Sequence, residues 1–311
     1  MSARTHSRSQ PIDGVLLLNK PAGLTSNQAL QRVKRLLGAK KAGHTGSLDP
    51  AATGMLPLCF GEATKVCAFL LDADKTYRVT AKLGSATDTG DADGKEIRSA
   101  DVPPLSKEDW AVILNGFLGE SMQVPPMYSA LKKDGKRLYE LARKGEVVER
   151  EPRPIRIDEI ELLEAAGKRL VFRVRCSKGT YIRSLVEDIA ARAGTVAHTA
   201  RLHRETVGAF DPAGMLDLEG AEAIVDEDPA GLRDQLLPAD RALGELPAVT
   251  LAADTTERFL HGQAVSIGGT ELFGLTRVYG AGGEEEFLGV GELTPAGELR
   301  PKRVFGQRSK T

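Results

Sequence analysis

The chain has 311 residues, 41% of them hydrophobic and 27% charged, and a formal net charge of −1. These values are ordinary for a globular protein, and the length accommodates two domains with at least one sizeable core. No apolar run approaches the roughly 20 residues that cross a bilayer, which excludes a membrane helix, and the polar, basic N-terminus has no apolar segment behind it that would make a signal peptide.

Cys59, Cys67 and Cys176 are odd in number and lack metal-ligand spacing, a pattern that fits a reducing cytoplasm. Charge is segregated along the chain. Residues 1–50 carry eight Lys or Arg against two acids, and residues 131–183 carry fifteen against nine. Residues 211–250 reverse this, with two Arg against ten acids. Such segregation can build a positive face on a nearly neutral protein, and a positive face attracts polyanions. Plain solvated surface is the competing explanation, and charge alone does not separate the two.

In chain order, residues 1–11 are expected to form a disordered basic tail. Residues 14–19 are a continuous apolar run between turn signals, as in a buried strand, and residues 20–23 form a turn. Ser26 is expected to cap a helix whose apolar face is Ala29, Leu30, Val33, Leu36 and Leu37 and which Gly38 ends. Its other face shows Arg32, Lys34 and Arg35. Then comes Gly43-His44-Thr45-Gly46-Ser47-Leu48-Asp49-Pro50-Ala51-Ala52-Thr53-Gly54, punctuated by glycine and proline too densely for helix or strand. Pro50 biases Asp49 toward an extended conformation. The loop therefore holds out a carboxylate with an imidazole five residues earlier, although Asp-Pro alone is commonly just a turn. Residues 38–45 nearly spell a phosphate-binding loop, but His44 replaces the lysine and a helix precedes it where a strand is needed.

Residues 62–71 read as a second helix. Residues 75–83 alternate as a half-buried strand that puts Tyr77 on one face with Val79, Ala81 and Leu83. Residues 88–94 lack the bidentate Glu of a calcium loop and read as an acidic surface loop. Ser106 with Asp109 approximates a capping box for a helix through Leu118. Residues 125–130 are extended loop, 136–144 a short basic helix and 152–156 a connector. Residues 155–163 and 169–176 read as paired strands around Gly167. Ser177-Lys178-Gly179-Thr180-Tyr181-Ile182-Arg183 turns at Gly179 into a helix through Ala193, which places Tyr181 and Arg183 where they can reach a cleft. Residues 200–204 alternate basic groups with Leu202, as a strand with one apolar contact would. An acidic stretch, 211–245, leads to glycine-rich short strands at 263–267, 272–279 and 287–292, expected to form a small β-barrel.

Taken together, residues 43–50 closely resemble the signature loop of the TruB-type pseudouridine synthases. Four further blocks follow that family's order: residues 14–21 (G-V-L-L-L-N-K-P), 75–78, 126–131 and 177–183 (S-K-G-T-Y-I-R). The resemblance covers residues 12–210 well, and the last sixty or so resemble the PUA module that family often carries. It implies an α+β fold: a mixed, largely antiparallel central sheet with flanking helices (12–245), plus a PUA-like RNA-binding barrel (246–311).

The activity implied is isomerisation of uridine 55 in the tRNA T-loop to pseudouridine, without cofactor or metal. By the same resemblance Asp49 is the nucleophile, and Arg183 is the cation expected to lower its pKa. Tyr77 stacks on the uracil and helps remove the C5 proton, while Tyr181 and Leu202 complete the pocket. His44 wedges into the T-loop in place of the flipped base, and Lys20 supports the loop. The expected partner is the tRNA T-stem-loop, bound by a cytoplasmic monomer with no obligate protein partner and no membrane contact. A non-catalytic tRNA-binding or folding protein is the alternative, disfavoured because a pure binder needs no buried nucleophile. A guide-RNA-directed subunit is disfavoured by the lack of long basic tails.

Overall fold

The computed structural model describes residues 12–133, 135–142, 144–268, 271–281 and 286–306. The expected tail, 1–11, lies outside them. The larger sheet contains β1 (Gly14–Lys20), β2 (Ala42–His44), β3 (Thr53–Phe60), β4 (Lys75–Leu83), β5 (Gly119–Gln123), β6 (Arg153–Ala166), β7 (Arg169–Cys176) and β8 (Ala197–Val207). Their order is β1-β3-β8-β4-β7-β6-β5, with β2 also on β3. All pairs are antiparallel except β3 with β8, which run parallel where Thr53 and Gly54 meet His203 and Arg204. The fold is thus α+β on a mixed, largely antiparallel sheet.

The helices are α1 (Ser26–Leu37), α2 (Cys67–Asp72), α3 (Lys107–Asn115), α4 (Leu138–Ala142), α5 (Ile182–Arg192), α6 (Leu218–Glu227) and α7 (Ala253–Leu260). β1 is apolar throughout because both its faces are covered. Leu16 and Leu18 pack with Leu30 and Val33 of α1 and Ala221 of α6, while Val15 and Leu17 pack on the other side with Met55, Val66 and Leu70. Each such leucine contributes roughly 1.5–3 kcal/mol by leaving water. A separate core fills the space between β4, β7 and α5, with Tyr77, Phe172, Leu185 and Ile189 among its members.

Several sequence expectations shift. Thr25, not Ser26, caps α1, in a capping box with Gln28. Residues 62–71 divide into a 3-10 turn, Gly61–Val66, and α2. The helix expected over 136–144 is only Leu138–Ala142, and α3 ends at Asn115. The stretch 43–54 was expected to hold no strand, yet His44 ends β2 and Thr53 begins β3.

The second sheet is β9 (Ala248–Thr250), β10 (Val265–Ser266), β11 (Gly274–Tyr279), β12 (Phe287–Leu293) and β13 (Glu298–Val304), in the order β9-β11-β12-β13-β10. Among the described residues this is an open path rather than the closed barrel expected. Val290 and Phe305 enter the same core as Val15 and Met55, and Lys65 Nζ donates to Val304 O at 2.9 Å. The second sheet is therefore packed onto the first.

Candidate active site

The signature loop occupies a gap in the sheet. One edge of β3 pairs with β1 from Gly54 to Phe60. The other edge pairs with β2 at Leu58–Phe60 and with β8 only at Thr53 and Gly54. Between the two, residues 45–52 cross the sheet edge. Pro57 sits in the middle of β3 because its carbonyl faces this loop, accepting from Thr45 N at 3.2 Å, so the missing N–H would also face loop rather than strand.

The loop is anchored from three sides. Ser26 Oγ, at the start of α1, accepts from Leu48 N at 2.8 Å and donates to Leu48 O at 3.2 Å. Lys20 is 0% exposed, and its Nζ donates to Pro21 O and Leu24 O at 2.8 Å and Pro50 O at 3.3 Å. Burial brings the Lys20 ammonium down to about 8. From β8, Arg204 Nη2 donates to Gly46 O at 3.0 Å and Nε to Met55 O at 2.7 Å. Gly54 has φ +102°, and a Cβ there would lie 2.2 Å from Arg204 O, so no other residue fits without displacing β8.

Asp49 and Arg183 meet across this loop, with Arg183 Nε 3.0 Å from Asp49 Oδ2. Arg183 is 6% exposed and fixed by three more contacts: Nη1 to Thr89 O at 2.8 Å, Nη2 to Tyr128 O at 2.7 Å, and Nη1 to Asp91 Oδ2 at 3.6 Å. The Asp49 side chain keeps 44% of its surface open. Even so, burial pushes its pKa above 3.8; Arg183 and Lys20 oppose that rise, and Asp91 and Asp93 add to it. The sequence expectation was a pKa lowered by Arg183. Arg183 does act in that direction, but desolvation outweighs it.

Tyr77, on β4, points inward as its alternation predicted, and burial raises its phenol pKa. Tyr181 opens α5, its N–H donating to Gln123 Oε1 at 2.8 Å. Leu202 lies on β8, half-buried against the core that contains Tyr77 and Leu48. His44 has a buried Nδ1 without a hydrogen-bond partner, and its pKa is lowered by burial and by the charge of Arg204. Three residues that position the site were missed by the sequence reading. Asp91 lies in a loop read as acidic surface, Ser26 was read as a helix cap, and Arg204 was seen only as one basic residue of a strand. No local pattern marks Asp91, because its partner lies ninety-two residues later in the sequence.

Residues 34–182 match the family model described as "TruB family pseudouridylate synthase (N terminal domain)". Residues 183–244 match "tRNA pseudouridylate synthase B C-terminal domain", and residues 247–305 match "Pseudouridine synthase II TruB, C-terminal". The chain belongs to the TruB family of pseudouridylate synthases. It is 48% identical to the tRNA pseudouridine synthase B of Chromohalobacter salexigens over 304 residues, 97% of each chain. It is 46% identical to that of Nitrosococcus oceani over 309 residues, 99% of this chain and 100% of the relative. Among solved structures it resembles a chain of a Cbf5-Nop10-Gar1 complex, with TM-score 0.74 and 26% identity over 95% of this chain and 85% of that one. A chain of an H/ACA RNP bound to a substrate RNA containing 2′-deoxyuridine gives 0.73 and 25%, covering 95% and 86%.

Proposed function

We propose that this protein isomerises a uridine of tRNA to pseudouridine, with Asp49 as nucleophile, and that the target is uridine 55 of the T-loop. Family membership and the near-full-length relatives support the reaction and the substrate class. The observation that carries the residue assignment is the Asp49–Arg183 pair at 3.0 Å, on a loop tied to β1, α1 and β8.

The reaction breaks the N1–C1′ bond, turns the uracil, and forms a C5–C1′ bond; C5 loses a proton and N1 gains one. It balances without an oxidant or a transferred phosphate, so we assign no cofactor. Asp49 attacks C1′ of the ribose or C6 of the ring, held ionised by Arg183 against the pull of burial. Tyr77 stacks on the uracil and accepts the C5 proton. Tyr181 and Leu202 close the pocket around the base and keep water from the detached uracil. The base must leave its stack at a cost of a few kcal/mol, and His44, neutral because its pKa is lowered, supplies a flat ring to fill the gap. Residues 12–245 are assigned to the catalytic domain and residues 246–311 to a PUA-like RNA-binding module, in a monomer of the cytoplasm.

The test is pseudouridine formation on an unmodified tRNA transcript, with wild type and Asp49→Asn side by side. We expect product at one T-loop uridine from wild type only, with Asp49→Asn binding tRNA within several-fold of wild type. No product from either, with tRNA still bound, would make this a tRNA-binding protein instead.

A further inference from the structure

Arg204, which anchors the loop through Gly46, is a buried cation with no part in the chemical steps assigned above. Arg204 is 1% exposed and lies directly opposite Tyr77 in the β4–β8 register, so the two side chains share a face of the sheet. Its guanidinium is held in place by the carbonyls of Gly46 and Met55. Among the described residues no carboxylate pairs with it; the ion pairs of this site all go to Arg183. A buried charge without a counter-ion is expensive, and a preorganised cation is most useful where negative charge develops during reaction. The group it faces is a phenol. Burial raises the Tyr77 pKa, and the nearby charge of Arg204 opposes that rise. Burial lowers the pKa of Lys20, His44 and Lys75, and the charge of Arg204 adds to each fall, so its field reaches these three side chains as well.

We propose that Arg204 is a positioning residue that acts through Tyr77, holding the phenol oxygen in place and facing the negative charge it carries when it accepts the C5 proton. This rests on the reading of the protein as a tRNA pseudouridine synthase. In the step, Tyr77 gives its proton to N1 of the detached uracil and becomes phenolate. Once C5 is joined to C1′ and Asp49 has left as its carboxylate, the C5–H bond breaks, its electron pair restores the C5–C6 double bond while the C6–N1 π pair returns to N1, and the proton returns to the Tyr77 oxygen. Nothing is oxidised or reduced.

Single-turnover pseudouridine formation on a tRNA transcript tests this, with tRNA affinity measured alongside. The proteins compared are wild type, Arg204→Gln, Arg204→Lys, Tyr77→Phe and the double variant Arg204→Gln/Tyr77→Phe. We expect Arg204→Gln to be at least ~100-fold slower with affinity within threefold, and Arg204→Lys to recover at least tenfold of that loss. In the Tyr77→Phe background the Gln substitution should cost less than tenfold, since groups acting as a unit are not additive. Equal losses in both backgrounds, or an Arg204→Lys protein as slow as Arg204→Gln, overturn the proposal. Should Arg204→Gln fail to fold, Arg204→Lys carries the same cycle. An Arg204→Lys chain that itself fails to fold makes the residue a structural strut and also overturns it. Absence of wild-type product refutes the functional reading instead, so the two failures are distinguishable.

Discussion

At the scale of single residues, the site is a contest between burial and charge around Asp49. Burial raises its pKa above 3.8, and Arg183 limits the rise. If ionised Asp49 is the nucleophile, the rate must fall on acidification through a midpoint above 3.8. Replacing Arg183 by Gln removes the opposing cation and should move that midpoint to higher pH, read from residual single-turnover rates between pH 4 and 8. An acid limb that stays put in Arg183→Gln would separate the titration from Asp49. The same shift has a consequence for stability. A carboxylate whose folded pKa is raised destabilises the fold when ionised, fully above the folded pKa and not at all below its unfolded value. Asp49→Asn should therefore raise the Tm at pH 7, and the difference should close as the pH drops below about 3.8; a lower Tm at pH 7 contradicts this. The sequence made Asp49 and Arg183 legible because each sits in a dense local motif. The sign of the Asp49 shift was not legible, since it depends on Asp91 and Asp93 and on how much protein surrounds the carboxylate.

At the scale of elements, the loop is held by neighbours that themselves have ordinary structural jobs. α1 was readable from its periodicity, but its first residue, Ser26, spends its hydroxyl on Leu48 of the loop. Ser26→Ala would leave the Leu48 N–H buried without a partner, a loss of about 1–3 kcal/mol. We expect a lower Tm and a slower turnover at near-unchanged tRNA affinity; wild-type turnover would show that the loop needs no tie to α1. Gly54→Ala should be worse, because the added Cβ meets the β8 backbone and φ +102° is itself strained. β3 was the central strand the sequence reading omitted. Pro57 argues against a central strand, and the argument fails here because the β3 edge facing Pro57 is occupied by the loop. Tyr77 on β4 was legible for the opposite reason: strict alternation leaves one face buried regardless of what surrounds it.

At the scale of the whole molecule, charge segregation is sharper in three dimensions than along the chain. Much of the basic excess in residues 131–183 is neutralised on β6 and β7. Arg156 pairs with Asp158 and Asp74, Arg173 with Glu161 and Glu205, Arg175 with Glu159, and Arg169 with Glu164. Lys132, Lys133, Lys136 and Arg137 form an exposed two-stranded hairpin, and no ion pair is formed by these four among the described residues. That hairpin is close to the cleft in the chain, since Tyr128, whose carbonyl holds Arg183, lies just before it. Free cations displace counter-ions from a polyanion, whereas cations already paired to carboxylates contribute little. The affinity for tRNA should therefore fall steeply with salt. Two phosphate contacts alone predict about a tenfold loss between 50 and 200 mM. Lys132→Ala with Lys136→Ala should lower the affinity at low salt and flatten the slope of log affinity against log salt. Arg173→Ala with Arg175→Ala should leave that slope nearly unchanged, because those two guanidinium groups are already matched by acids. Filter binding at four salt concentrations reads both pairs. If the β7 pair flattens the slope as much as the hairpin pair, tRNA lies along the strands of the sheet, and the ion pairs there must open to admit it.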